Sequence, residues 1–376
     1  MQSSKKVLFV ATVVKKHINV FHLPYLKWFQ DQGYETHVAA RDDFNGDECY
    51  IPHCDNHYDI PFERSPLKFN NFKAYKQLKT IINKNDYDII HCHTPVAAML
   101  TRFAAISSRK KRTRVIYTAH GFHFFKGSPI LNWLVFFPIE YICSFFTDVI
   151  ITINKEDYHL AKKIMKAKEI EYIPGIGINV EKFKNMNINR QLKRNELNIP
   201  ENATLLLSVG ELSKRKNHQV IIDALYILNN SNVHYCIVGE GGLEKELRAK
   251  VEYLQIQNQV HFLGFRNDIP ELCKISDIFV FPSLQEGLPV SLMEAMATGL
   301  PCVISDIRGN KDLIENYKGG ILCEKENHIA FCQSINEIIT NRAIKERMIY
   351  TNLETIKKFD YKMVHAEMKR IYSLYK

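Results

Sequence analysis

The stretch FPSLQEGLPVSLMEAMATGLPCV, Phe281 to Val303, decides how this chain is read. A strand-like FVFP leads into a Gly-Leu-Pro turn that opens a short helix. Pro289 suits the first helical position, where its missing N–H has no intrahelical partner to lose; Gly299 and Pro301 close the helix. Neither Glu286, just before the helix, nor Glu294, on it, is needed to form it. The free amides of Leu288, Val290 and Ser291 would make an anion site at a helix N-terminus, fit for a phosphate or diphosphate, and Gly287 allows close backbone approach. A carboxylate does not bind phosphate, but it accepts hydrogen bonds from a diol such as ribose or a hexose. The two glutamates bracket the anion site as a nucleotide-sugar requires. Spacing alone also suits two ordinary surface glutamates.

Outward from this stretch, apolar strands alternate with amphipathic helical segments along the whole chain. The first half reads KVLFVAT, ETHVAA, DIIHCH, RVIYTA and DVIITI; the second reads TLLLSV, YCIVG, VHFLG, IFVFP and CVIS. Continuous apolar strands separated by helices imply parallel sheets covered on both faces. The rhythm breaks at YIPGIGINVEKF, Tyr172 to Phe183, where Pro174, Gly175 and Gly177 cluster. The fold class is therefore α/β, with two doubly wound domains, 1–177 and 178–359, and a C-terminal helix over 360–376 packing back on the first. A length of 376 residues agrees with two domains. Ligands of such sheets sit beyond the carboxyl ends of the strands, and a cleft between the domains is the expected active site.

Composition narrows the class. An apolar fraction of 46% with 24% charged residues belongs to a folded globular protein. The longest uncharged run in the aromatic-rich region, Gly127 to Ile139, ends at Glu140, short of the roughly 20 residues a membrane span needs. The N-terminal MQSSKKVLFVATVVKK reads as a first buried strand and not as a secretory signal. Nine cysteines without a CxxC pair read as reduced, buried thiols in a cytoplasmic protein. The net charge of +9 is uneven: residues 1–178 hold 24 Lys and Arg against 17 Asp and Glu, or +7. The excess lies in Ser108 to Arg114 and Arg64 to Lys79. It suits a phosphate-bearing partner or a solvated face.

The Glu286–Glu294 segment resembles the Glu-x7-Glu signature of the retaining glycosyltransferases of family four, which have the GT-B fold. Gly239 to Ser283 is similar to that family's donor domain, IPGIGINVEKF to its interdomain crossing, and HCHTP (His91 to Pro95) and TAHGF (Thr118 to Phe122) to its first-domain signatures. The resemblance implies two Rossmann-like domains facing across a cleft. It implies that Glu286 hydrogen-bonds donor-sugar hydroxyls, that Glu294 holds the ribose, and that Lys216, beyond Gly210, neutralises the departing diphosphate. Phe265 and Arg266 also fall on the donor side, with Gly287, Leu288, Val290 and Ser291. His120 would contact the donor sugar near the reacting centre. With Lys216 and Glu286 it makes up the expected catalytic set. No metal and no cofactor are implied, because cations do the electrostatic work.

Two departures from the family pattern stand out. Glu211 occupies the position after Gly210 where relatives often have arginine, so Lys214 or Arg215 would supply the charge. TVVKKHINVFHLP, Thr12 to Pro24, lacks the usual double glycine, so Lys15, Lys16 and His17 would bring charge to the acceptor side, with His123 lining it. His91 and His93 share one face of a strand, Cys92 the other, and read as packing residues, since metal ligation would need further ligands nearby.

The implied activity is a hexosyltransferase that transfers with retention by front-face substitution. Its donor would be a UDP-sugar, an N-acetylhexosamine for choice, and its acceptor a polyprenyl-diphosphate-linked saccharide in bacterial capsule or exopolysaccharide assembly. The aromatics between Phe122 and Phe146 suit peripheral docking on the anionic inner face of the cell membrane, or simply core packing of Trp133, Phe136 and Phe137. A sugar-nucleotide epimerase would share the architecture but not the paired glutamates. A phosphorylase would need an added segment for pyridoxal phosphate. A nucleic-acid-binding protein has only the net charge in its favour, without stacking aromatics or a recognition motif, and no nucleic-acid partner is expected.

Overall fold

The computed structural model describes residues 5–66, 68–184 and 186–375. The chain divides into two compact units, one of residues up to Ile176 and from Val364 onward, the other Gly177–Met363.

The first unit is built on β1 (Lys5–Val13), β2 (Tyr34–Arg41), β3 (Asn56–Asp59), β4 (Ile89–His93), β5 (Arg114–Ala119), β6 (Val149–Thr152) and β7 (Glu169–Tyr172), all parallel, in the order β3-β2-β1-β4-β5-β6-β7. Its central strand is buried on both faces. Val7, Phe9 and Ala11 join one apolar cluster; Leu8 and Val10 join the other. The period of two in a strand makes that division automatic. In the helix Tyr361–Ser373, Val364, Met368, Ile371 and Tyr372 form a stripe at helical spacing and enter the first cluster.

The second unit has β8 (Thr204–Val209), β9 (Val233–Val238), β10 (Val260–Gly264), β11 (Ile278–Phe281), β12 (Cys302–Ser305) and β13 (Gly320–Cys323), parallel, in the order β10-β9-β8-β11-β12-β13. Leu206, Val280, Val303 and Ile321 place four of these strands in one core. The buried Arg194 pins the strand starts. It donates to the carbonyls of Glu201, Ala203 and Ile275 and to Asp277, which also accepts from the Leu205 amide. Asp148 does the corresponding work in the first unit, accepting from the Val115 amide and from Arg109.

Three strands went unread in the sequence: β3 (NHYD), β7 (EIEY) and β13 (GILC). The first two are polar and none of their residues is fully buried. All three are four-residue edge strands, ordered by a single neighbour and not by two-sided burial. The cysteines are all free thiols. Cys49 and Cys54 are half-buried and the other seven buried.

Candidate functional site

Strand order reverses between β8 and β11, which run side by side although two strands and their helices separate them in sequence. The loops leaving their carboxyl ends therefore part in opposite directions and open a crevice, the usual ligand position of such sheets. The β8 loop carries Gly210, Arg215 and Lys216; the β11 loop carries Glu286 and Gly287. The Leu284 amide donates to the Arg215 carbonyl at 2.8 Å and ties the two loops together. Glu286 Oε1 then accepts from Lys216 Nζ at 2.8 Å and from Arg215 Nη1 at 2.7 Å.

Lys216 is only 8% exposed. Its side chain lies over Gly210, where a Cβ would sit 2.9 Å from the lysine Cε, and its ammonium lies 4.4 Å from the centre of the Phe281 ring. Glycine at 210 is thus what admits the lysine stem. Burial pulls the Lys216 pKa down, and Glu286 opposes that pull. Gly309, at φ 78°, backs the other loop: a Cβ there would lie 2.3 Å from the Gly287 carbonyl oxygen. Of the two substitutes for the missing arginine, it is Arg215 that meets Glu286 alongside Lys216.

The helix Val290–Ala297 starts one residue later than the sequence implies, with Pro289 as its N-cap and not its first residue. No side chain caps it. The early amides, Val290 and Ser291 among them, are left for a ligand or water. Glu294 lies one turn in. No side-chain hydrogen bond or ion pair holds its carboxylate among the described residues. Burial pushes its pKa up to about 7, with a smaller opposing pull from Lys182. Arg266 is taken up by Asp268 and Glu196 and does not contact the Lys216–Glu286 group. Phe265 is 71% exposed and offers an open aromatic face.

In the first unit, His120 follows β5 and His17 sits on a π-helical turn, Val14–Ile18, after β1. Their rings lie 5.2 Å apart, centre to centre. His17 does not supply the acceptor-side charge expected of it: burial, with His120 nearby, lowers its pKa to about 3, so the ring is neutral. Lys15 and Lys16 are exposed. Their backbone amides bind the Asp43 carboxylate, and the Lys15 ammonium lies 3.8 Å from Asp47. His123 stacks on Phe136 beside a cavity of about 150 Å³ that Arg64, Met99, Tyr117 and Glu140 also line. Trp133, Phe136 and Phe137 pack against the core, whereas Ile130, Leu131 and Leu134 of the same helix face outward. Of the aromatic residues offered for membrane docking, these three are thus partly buried against the core, Phe145 is 49% exposed, and the rest of the exposed apolar face is aliphatic. Sequence reading passed over that face because the helix is apolar all round. His91 donates to or accepts from the Tyr372 hydroxyl at 2.7 Å and Thr118 Oγ1 at 2.8 Å, a packing role.

Residues 189–355 match the family "Glycosyl transferases group 1", and residues 6–154 match "Glycosyl transferase 4-like". The putative glycosyltransferase EpsD of Bacillus subtilis (strain 168) is 38% identical over 376 residues, covering 99% of this chain and 97% of that protein. The chain belongs to the glycosyltransferases. A second relative of this glycosyl transferase is the UDP-Gal:alpha-D-GlcNAc-diphosphoundecaprenol alpha-1,3-galactosyltransferase of Escherichia coli, 31% identical, with 74% of this chain and 75% of that protein covered. Among solved structures, Anabaena HepE in complex with UDP-glucose superposes with a TM-score of 0.77 at 19% identity, over 98% of this chain and 99% of that one. The fold is GT-B, with two Rossmann-like parallel-sheet domains. No helix among the described residues is long and apolar enough to cross a membrane.

The raised Glu294 pKa fixes a pH dependence. The folded glycosyl transferase keeps this proton to about pH 7, while an unfolded chain releases it near the ordinary 4.5. Between those values the folded state binds more protons, so stability falls as pH rises, by on the order of 3 kcal/mol in total. Denaturant titrations across that range should show the decline, and Glu294→Gln should flatten it.

Proposed function

We propose that this glycosyl transferase moves a sugar, an N-acetylhexosamine, from a UDP-sugar to a polyprenyl-diphosphate-linked saccharide, with retention and without a metal. The observation that carries the reading is the convergence of Lys216 and Arg215 on one oxygen of Glu286, beside an uncapped helix N-terminus at a strand-order reversal. In the unliganded protein the two cations are neutralised by one carboxylate. A diphosphate entering against the amides of Val290 and Ser291 gives them a second anion. The other Glu286 oxygen, which carries no hydrogen bond among the described residues, is open to accept from sugar hydroxyls. Glu294 accepts from the ribose diol, and Phe265 stacks on the base.

In the reaction the bond between the anomeric carbon and the β-phosphate oxygen breaks as the acceptor hydroxyl approaches on the same face. The hydroxyl proton passes to the departing phosphate oxygen. Lys216 and Arg215 stabilise the negative charge as it collects on the diphosphate, which is where fixed cations contribute most. His120, neutral because burial lowers its pKa to about 4, accepts a hydrogen bond from the donor sugar. The relative from Escherichia coli, named for a diphosphoundecaprenol-linked acceptor, supports a lipid-linked acceptor here. A 24% identical capsular polysaccharide biosynthesis glycosyltransferase of Staphylococcus aureus supports a place in surface-polysaccharide assembly.

Transfer from a panel of radiolabelled UDP-sugars to undecaprenyl-diphosphate-linked N-acetylglucosamine in EDTA tests the reading. Product with the donor's anomeric configuration is expected. Lys216→Met should lower kcat by about 10²–10³, the usual effect of losing one transition-state charge partner. An inverted product, or activity that needs added metal, would refute the mechanism. For membrane contact, Leu131, 67% exposed, and Leu134 are the residues to change. The double variant Leu131→Ser/Leu134→Ser should float less with anionic vesicles than the unaltered protein, and equal flotation would count against this face.

A further inference from the structure

The first sheet reverses strand order between β1 and β4, as the second does between β8 and β11. Beyond that reversal lies a group of imidazoles that the transfer chemistry does not use. His17 stands on the π-helical turn after β1, His22 follows it, and His93 is the last residue of β4. We propose that His17, His22 and His93 bind one divalent transition-metal ion of the zinc class in the first unit.

Each of the three offers a ring nitrogen, and these atoms all lie within 4.8 Å of one another. Both ring nitrogens of His22, both of His93 and Nε2 of His17 are buried without a hydrogen-bond partner among the described residues. Each such atom is unfavourable if nothing engages it. The contrast with His91 is instructive: it lies in the same cluster, yet Tyr372 and Thr118 satisfy both its nitrogens. His22 and His93 stack with ring centres 3.9 Å apart, a distance that two imidazolium ions would not tolerate.

The backbone is committed to the arrangement. Thr94, immediately after His93, has φ 62°, a conformation that a β-branched residue rarely adopts. It is held there by the Thr12 amide at 3.1 Å and by the Thr12 hydroxyl at 2.7 Å. This contact also joins the end of β1 to the end of β4 and brings His17 and His22 over His93.

The ligand set selects the metal. Three imidazoles suit zinc, copper or nickel and are poor ligands for calcium or magnesium, which want oxygen. A metal–nitrogen distance of about 2.0–2.1 Å requires the nitrogens to draw closer by roughly an ångström, which side-chain rotation supplies. Three protein ligands leave one position for a small molecule. A cavity of about 30 Å³ beside His22, His93, Thr118 and His120 has room for a water. This site does not depend on the proposed donor and acceptor, because the diphosphate charge is met by Lys216 and Arg215.

Titration of tag-free, EDTA-stripped and dialysed protein with Co²⁺ tests the proposal. One equivalent should develop visible d–d absorption, Zn²⁺ should displace it, and Zn²⁺ should raise Tm. His17→Gln, at a half-buried position, and His93→Asn should each weaken binding at least tenfold, while exposed His159→Gln should bind as the unaltered protein does. Circular dichroism confirms that the variants are folded. No stoichiometric band from the folded parent protein, or a band that His17→Gln and His93→Asn both leave unchanged, overturns the proposal. UDP affinity measured in EDTA reports on the second unit independently, so failure of one reading does not carry the other with it.

Discussion

The reversal of strand order between β8 and β11 is the constraint on which the proposed donor site rests. Two adjacent parallel strands whose following loops diverge leave a gap at their carboxyl ends. In this chain the gap is crossed by one backbone hydrogen bond, from the Leu284 amide to the Arg215 carbonyl. That bond sets the approach of Lys216 and Arg215 to Glu286. Gly210 and Gly309 remove the two Cβ atoms that would obstruct it. A site held in this way on strand ends is rigid before ligand arrives, which is what electrostatic stabilisation of a leaving group requires.

Electrostatics gives the site its second property. Lys216 is buried, and burial disfavours its charge; Glu286 opposes that effect. Glu294 has no such partner and holds its proton to about pH 7. One carboxylate is thus paired with two cations, while another, on the next helix, waits for donors. A ligand with a diphosphate at one end and a diol at the other satisfies both conditions. A bare phosphate would leave Glu294 without donors.

Much of this was legible in the sequence, because strand ends in a parallel sheet are easy to locate when the strands are apolar on both faces. Glu286, Glu294, Lys216 and Gly210 all lie next to such strands or on the helix that follows one. The polar edge strands NHYD and EIEY were not legible, since one-sided pairing leaves no apolar run. The histidine cluster was hidden for a different reason. His17 and His22 lie on a turn and helix start with no strand signal, and the pairing of β1 with β4, closed by the Thr12–Thr94 contact between residues 82 apart, carries them to His93. The exposed aliphatic face of the helix Ile130–Ser144 was hidden by its own composition: where every side is apolar, periodicity cannot tell the buried side from the open one.

The most direct test of the central claim is calorimetric binding of UDP and GDP in EDTA, to the unaltered protein and to Glu294→Ala. The account predicts metal-free UDP binding that weakens at least tenfold in the variant, about 1.4 kcal/mol or more. Absence of binding to either nucleotide, or UDP binding indifferent to Glu294, would contradict it.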